Sequence, residues 1–311
     1  MGRTRPPRGL VASLAGKEGT MATLSPTPEM IAAANAQSRR LRELVNAPGI
    51  LVMPGAYDVL SARLFEAMGF PAIQGTSGGV QAVHGLLDEE LLGLEGTAAV
   101  YREMTAAVSV PVNADGEKGY GGPEAMAATV RAFVAAGCAG MNLEDSDYHP
   151  HGAPMKLLPL DVQLAKIRAV MAAKRELGSE FFLNARVDVF GTVPSHADGM
   201  AEAIRRGNAY AEAGADCIFI FRPGNAETIG TLAREIAAPL SVLAVEDTPP
   251  IPELEALGVK RVSYGTAFTR YAITAVKRLA AELQGGGNPG PLLRESMPRA
   301  EFLSLLRGGD A

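Results

Sequence analysis

Four acidic residues of this chain follow short apolar segments. They are Asp88, Asp115, Glu117 and Glu144, and a single glycine separates the central pair. The apolar segments before them have the character of barrel strands, and the ends of barrel strands are where such folds place their catalytic groups. Clusters that offer only oxygen ligands suit a hard cation such as magnesium, which keeps several waters when it binds. The pattern therefore predicts a site for Mg²⁺, or for Mn²⁺ in its place.

The same acids have a structural alternative. An acidic residue just before a helix is stabilised by the helix dipole, and Asp88 precedes a helical pattern at residues 89–108. Asp115 and Glu144 have no such explanation, because a charge at the exit of a strand does not cap a helix. The metal interpretation therefore depends most on these two residues.

The elements that must position the acids alternate regularly between strand and helix. Apolar runs at residues 50–53, 71–74, 111–114, 141–143, 181–185, 217–221, 240–243 and 261–263 are each followed by a helical pattern, the last at 267–283. Eight such units in about 235 residues predict a TIM-type (β/α)8 barrel of the α/β class. A doubly wound open sheet is the alternative, but no glycine-rich phosphate loop follows the first strand. Gly137, Gly214 and Gly258 are expected to end helices in the left-handed conformation.

Composition limits the partners and the compartment. The chain has 311 residues, is 47% hydrophobic and carries a net charge of -5, which argues against nucleic acid or an anionic membrane surface as the main partner. No apolar run is long enough to span a bilayer. The two cysteines, Cys138 and Cys217, lie among small apolar residues and are expected to be buried, reduced thiols of a cytoplasmic protein.

The chain is expected to contain one folded domain between two less ordered ends. Residues 1–25 read as a disordered leader, within which Met21 is a possible start. Residues 26–284 form the barrel domain. Residues 285–311 begin with Gly-Gly-Gly-Asn-Pro-Gly-Pro and read as a flexible tail with a short helix over 297–306.

The order of motifs resembles the isocitrate lyase and phosphoenolpyruvate mutase superfamily. The matching segments are GAYDVLSA at 55–62, GTSG at 75–78, DGEKGYG at 115–121, LED at 143–145, NARVD at 184–188 and GVKRVSYG at 258–265. The resemblance runs from about residue 51 to residue 283. It implies a barrel whose eighth helix is exchanged between subunits, homotetramers built from such dimers, and a magnesium-dependent site for a small-molecule carboxylate: a 2-oxo acid or a related dicarboxylate.

The resemblance also assigns roles to individual residues. Asp115 matches the direct metal ligand, and Asp88, Glu117 and Glu144 match acids that hold the metal through waters. The family more often has aspartate where Glu117 stands.

The substrate carboxylate is expected to bind between a turn and an arginine. Thr76, Ser77 and Gly78 match the turn that offers backbone N–H groups and a hydroxyl, which requires small residues. Arg186 matches the family's substrate arginine and is a candidate catalytic residue together with Glu144. A guanidinium there can clamp a carboxylate with two parallel hydrogen bonds, or it can pair with Asp188 or Glu144.

The chain departs from the family in the loop at residues 146–158. This loop lacks the cysteine of the lyases that cleave isocitrate or methylisocitrate, and Pro150 is followed by His151 instead of the mutases' lysine. His151 is therefore the candidate acid or base. Phe221 replaces the mutases' histidine, and with Arg222 it is expected to form the far end of the substrate site.

These observations favour a magnesium-dependent lyase. It would cleave a C–C bond of a 2-oxo or 2-hydroxy (di)carboxylic acid through a metal-stabilised enolate. One alternative is P–C bond chemistry on a phosphonate, and another is a relative that binds carboxylates without catalysis. A Schiff-base aldolase is disfavoured, because no lysine stands at a strand exit.

Overall fold

Parallel strands and helices alternate in the computed structural model, which describes residues 25–147 and 154–307. The barrel strands are β1 (Leu51–Met53), β2 (Gly55–Ala56), β3 (Ile73–Gly75), β4 (Val112–Asp115), β5 (Gly140–Glu144), β8 (Phe182–Val187), β9 (Cys217–Ile220), β10 (Leu240–Leu243) and β11 (Arg261–Ser263). The helices are α1 (Pro28–Asn46), α2 (Val59–Ala67), α3 (Ser77–Val83), α4 (Gly93–Ala107), α5 (Met126–Ala135), α6 (Leu160–Leu177), α7 (His196–Glu212), α8 (Ala226–Glu235), α9 (Ile251–Ala256), α10 (Ala267–Gln284), α11 (Gly290–Glu295) and α12 (Arg299–Arg307).

The sheet begins and ends on the same stretch of chain. Its order is β1-β11-β10-β9-β8-β5-β4-β3-β2, and every neighbouring pair is parallel. Only Pro54 separates β1 from β2, so these two segments act as one strand that pairs with β11 on one side and with β3 on the other. The nine segments therefore form eight barrel strands, which confirms the predicted TIM-type barrel.

Three helices end at glycines in the left-handed conformation, as the sequence predicts. Gly137, Gly214 and Gly258 adopt φ values of 80°, 108° and 93°, so each ends its unit in the left-handed region as expected.

Cys138 and Cys217 are both buried and free. Among helices within the described ranges, none combines the length and the hydropathy that a membrane span requires.

Helix α1 closes the barrel at the N-terminal ends of the strands. Thr27 caps it by accepting a hydrogen bond from Met30 N at 3.3 Å, and a proline at the first helical position favours its start. Ser38 donates its hydroxyl to the Ala139 carbonyl at 2.7 Å, and Arg42 pairs with Asp216 at 2.9 Å. Because α1 covers this end, the opposite end of the barrel is left for the candidate site.

The predicted helix at residues 89–108 is shorter in the structure. A separate helix, α3, follows β3 directly, and α4 begins only at Gly93. Asp88 lies in the loop between them, five residues before α4, and therefore does not cap a helix. The alternative interpretation, in which Asp88 caps a helix and is stabilised by its dipole, is therefore wrong.

The loop at residues 146–158 has an ordered base. Two short antiparallel strands, β6 (Ser146–Asp147) and β7 (Lys156–Leu157), pair with each other. Residues 148–153, which include His151, lie outside the described residues. Residues 1–24, which are most of the expected leader, also lie outside them.

The tail from residue 285 contains two helices, and α12 matches the short helix expected over 297–306. Helix α12 packs on α2 of the same chain, where Arg63 donates to the Leu305 carbonyl at 3.2 Å. Most of α10 is exposed by contrast, and only Thr269 is buried within it.

Candidate active site

A cavity of about 250 Å³ opens at the C-terminal ends of the barrel strands. Its polar lining includes the predicted turn, three of the four predicted acids and the predicted arginine: Thr76, Ser77, Gly78, Asp88, Asp115, Glu144 and Arg186. Its apolar lining includes Met155, Phe219, Phe221 and Leu243. Residues from Thr76 to Leu243 thus meet at one barrel end, as the strand-exit argument predicts.

Asp115 ends β4 and is held by the turn that follows β3. Ser77 donates its backbone N–H and its hydroxyl to Asp115 Oδ2 over 3.2 and 3.0 Å. The Asp115 backbone N–H donates in turn to the Tyr101 hydroxyl at 2.9 Å. Asp115 is therefore buried and fixed in orientation, while its carboxylate still lines the cavity. The neighbouring Thr76 Oγ1 is also buried and has no hydrogen-bond partner among the described residues.

Asp88 reaches the same cavity from its loop. The residue as a whole is exposed, whereas its carboxyl group lines the cavity and accepts a hydrogen bond from Gln81 Nε2. Gly78 makes this approach possible, since a Cβ there would lie 2.8 Å from Asp88 Oδ2. Burial of the carboxyl and then repulsion from Asp115 raise the pKa of Asp88 to about 6.

Gln81 connects two of the acids and was missed by the sequence analysis. Its Nε2 donates to Asp88 Oδ1 at 3.2 Å and approaches Glu117 Oε1 at 3.3 Å, and its Oε1 accepts from Leu91 N. The available signal was its position one helical turn after Ser77, which places both side chains on one face of α3. Gln81 thus fixes the loop that carries Asp88.

Glu117 lies behind the cavity wall. It is fully buried, it does not line the cavity, and its φ of 47° is unusual for a residue with a side chain. It accepts a hydrogen bond from Glu90 N at 2.9 Å. Burial, followed by repulsion from Asp88 and Asp115, raises the pKa of Glu117 to about 9.

These acids fit an ion that keeps part of its water shell. Within residues 25–147 and 154–307, no three His, Cys, Asp or Glu side chains converge closely enough to bind one ion directly. Repulsion from Asp115 nevertheless raises the pKa of Asp88 and of Glu117, and Asp88 adds to the shift of Glu117. A hydrated Mg²⁺ needs few direct protein ligands and would neutralise this charge, so the donor set fits the predicted metal.

Arg186 lies at the end of β8, two strands away from Asp115 in the sheet, and is held by two carboxylates. Its NH1 contacts Glu144 Oε1, and its Nε and NH2 each lie 2.8 Å from Asp188 Oδ1. Burial raises the pKa of Glu144 well above its ordinary value, although Arg186 opposes that shift. Both predicted pairings of Arg186 therefore occur together, and its guanidinium still lines the cavity.

A buried network supports this arginine from behind. Asp145 accepts hydrogen bonds from Asp188 N at 2.8 Å, from the Tyr210 hydroxyl at 2.7 Å and from Arg206 NH1 at 3.0 Å. Arg206 also donates to the Leu158 carbonyl at 2.9 Å. The network joins α7, the end of β8 and the base of the 146–158 loop, and the sequence analysis did not identify it.

The far end of the cavity is apolar in the described part of the chain. The Phe221 ring lies under the Arg186 guanidinium, with 4.2 Å between Cζ and the ring centroid. Arg222 is exposed, stacks on Phe221 at 5.3 Å and does not line the cavity. Its φ of 52° turns the chain at this point. The structure thus brings Phe221, but not Arg222, to the predicted site.

Comparison with known proteins finds relatives that match most of the chain. The sequence model of the phosphoenolpyruvate phosphomutase family matches residues 41–284. The chain is 31% identical over 275 residues to 2,3-dimethylmalate lyase of Eubacterium barkeri, covering 86% of this chain and 93% of the relative. It is 30% identical over 276 residues to 2-methylisocitrate lyase of Bacillus subtilis, covering 86% and 88%. A phosphoenolpyruvate phosphomutase structure from Streptomyces platensis subsp. rosaceus superposes with a TM-score of 0.78 at 29% identity, covering 87% of this chain and 95% of that one.

Proposed function

The chain belongs to the phosphoenolpyruvate phosphomutase family, within the isocitrate lyase and phosphoenolpyruvate mutase superfamily, and from that membership we propose that it is a magnesium-dependent carbon–carbon lyase. Its substrate is a 2-oxo or 2-hydroxy carboxylic acid. Relatives named as lyases for 2,3-dimethylmalate and 2-methylisocitrate support this reaction class.

One observation carries the proposal. Asp88 and Asp115 meet at a single cavity with Glu117 directly behind them, and Asp115 repels the charged forms of both other acids. Two strands away from Asp115 in the sheet, an arginine that lines the same cavity is oriented by Glu144 and Asp188. Acids and a guanidinium in one cavity fit the joint binding of a cation and an anionic substrate.

The residues that would hold the ion are the four predicted acids at or directly behind the cavity. Asp115 is the proposed direct ligand, and Asp88, Glu117 and Glu144 are the proposed holders of its water shell. When bound, Mg²⁺ would supply Lewis-acid stabilisation of the negative charge that develops as the C–C bond breaks.

The remaining residues bind and orient the substrate. Arg186 donates to its carboxylate from a guanidinium that Glu144 and Asp188 already fix, so little conformational entropy is lost on binding. The buried Thr76 hydroxyl donates to the same end of the substrate, which would give this atom the partner it lacks among the described residues. Phe221 and Leu243 exclude water from the far end. His151 stays the proposed acid or base of the loop.

Substrate screening tests the reaction. We expect one of oxaloacetate, methylisocitrate, dimethylmalate or a related acid to release a 2-oxo acid in the presence of Mg²⁺, and we expect excess chelator to abolish the release. A coupled dehydrogenase assay for pyruvate, with mass spectrometry for other products, provides the measurement. Turnover that survives complete removal of divalent ions would contradict the proposal.

Phosphonate chemistry is the second candidate, because the phosphomutase structure shares the fold closely. Including phosphonopyruvate in the same screen tests it by ³¹P NMR. The aromatic Phe221 at the position of the mutases' histidine favours the lyase, since a phenyl ring can neither donate nor accept a proton.

We also propose that the protein forms homotetramers built from dimers that exchange α10. Tyr271, Ile273 and Val276 on this helix are 78%, 64% and 61% exposed, an apolar surface of the kind that marks interfaces. We expect a tetramer by light scattering at micromolar concentration, and smaller species for the pair Ile273→Asp and Val276→Asp. A monomeric wild type would refute this assembly.

A further inference from the structure

Arg261 is a buried cation that the proposed function does not use. It begins β11 inside the barrel, and its side chain is fully buried. No carboxylate contacts its guanidinium among the described residues. Its NH2 donates to Gln74 Oε1, whereas its Nε and NH1 have no hydrogen-bond partner there. Burial lowers the pKa of Arg261 to about 10, so the group is still charged at neutral pH.

The guanidinium joins a belt of amide side chains that crosses four adjacent strands. Asn113 Nδ2 donates to Gln74 Oε1 and to Asn142 Oδ1, each at 3.0 Å, and Asn184 Nδ2 donates to Asn142 Oδ1 at 2.8 Å. An unpaired buried cation is costly, and an amide belt compensates only part of that cost. Part of the positive charge of Arg261 is therefore left uncompensated and acts on the groups around it.

The belt forms the floor of the candidate active site, and two of its members, Gln74 and Asn142, line the cavity. Asn113, Asn142 and Asn184 each precede a site residue by two positions: Asp115, Glu144 and Arg186 respectively. Residues two apart on a strand point to the same face, so each amide lies directly beneath a charged group of the site. Ser263, two positions after Arg261, lines the cavity as well. Arg261 is thus a fixed positive charge under the cavity floor.

We propose that Arg261 is a positioning residue for charge: it weakens the binding of the divalent cation and strengthens the binding of the anionic substrate. The inference rests on the proposed function. A positive charge in a low-dielectric interior repels a cation and attracts an anion at the same site, so the two affinities must respond with opposite signs. A purely structural arginine would shift both affinities in the same direction, or neither.

Neutral and charge-preserving variants separate these possibilities. Arg261→Met and Arg261→Gln remove the charge, and Arg261→Lys keeps it. Arg205→Met removes an exposed arginine on α7 and serves as the matched control. Calorimetry measures the Kd of Mg²⁺ for the free protein and the Kd of oxalate, a small 2-oxo acid analogue, in saturating Mg²⁺. Circular dichroism follows the fold of each variant.

For both neutral variants we expect Mg²⁺ to bind about tenfold more tightly and oxalate about tenfold more weakly. This is the order of magnitude expected for the Coulomb interaction between the charge of Arg261 and a ligand charge about one barrel layer away. Arg261→Lys and Arg205→Met should stay within about twofold of wild type, a change too small to reflect the loss of a buried charge. Unchanged affinities, or a loss of both, would overturn the proposal. So would a requirement for Arg261 in folding itself, seen if neither neutral variant folds. A wild type that binds neither Mg²⁺ nor oxalate would instead refute the proposed function.

Discussion

Asp115→Asn is expected to reduce kcat/KM by about 10³-fold or more while leaving the barrel folded. A bound metal contributes several kcal/mol to stabilisation of a developing anion, and Asp115 is its proposed direct ligand. The neutral amide keeps an oxygen that can accept both hydrogen bonds from Ser77. Because the substitution removes one of several mutually repelling charges, the metal-free variant should unfold at the same temperature as wild type or at a higher one.

Asp216→Asn provides the matched control at the opposite end of the barrel. Asp216 pairs with Arg42 at 2.9 Å and with Lys174 at 3.3 Å, so this variant should lose thermal stability but keep its kcat. Steady-state kinetics with Mg²⁺ and thermal unfolding measure both properties. Wild-type turnover in Asp115→Asn would remove this residue from the metal site.

Arg186→Lys is expected to raise KM and to lower kcat, with a combined loss of about 10²-fold or more. An ammonium cannot reproduce the planar fork that contacts Glu144, Asp188 and the substrate at once. The loss should appear in both constants, because the guanidinium contacts the carboxylate in the ground state and in the transition state. Glu144 would in addition be left buried without its partner.

The matched control for this variant is Arg131→Lys. Arg131 also pairs with a glutamate, Glu176 at 2.6 Å, but on the helical surface away from the cavity. Its kinetic constants should not change. If Arg186→Lys had near wild-type constants on the true substrate, or if that substrate had no carboxylate, the assigned role of Arg186 would be wrong.

The features that sequence reasoning predicted well depend on strand ends. Asp115, Glu144 and Arg186 each lie at the C-terminal end of a parallel strand, and the barrel geometry brings all such ends to one face. The position of the turn at residues 76–78, directly after β3, follows from the same rule. The order of strands and helices in the sequence was therefore sufficient to predict which of these residues lie at the candidate site.

The features that were missed depend on the backbone of the loops. Glu117 and Arg222 have positive φ values, and a single left-handed residue redirects its side chain and the chain after it. Glu117 consequently lies behind the cavity and Arg222 outside it, although both follow strands in the sequence. Gln81 was overlooked because its role depends on the loop that carries Asp88, whose path no periodic pattern indicates.

The central claim is that one ion and one anionic substrate bind together in this cavity, and anomalous diffraction tests it most directly. Wild-type crystals grown with Mn²⁺ and oxalate should show one manganese peak per chain in direct contact with the Asp115 carboxylate. Oxalate should lie between that peak and the Arg186 guanidinium. No manganese peak at Asp115, or oxalate bound away from both groups, would contradict the account.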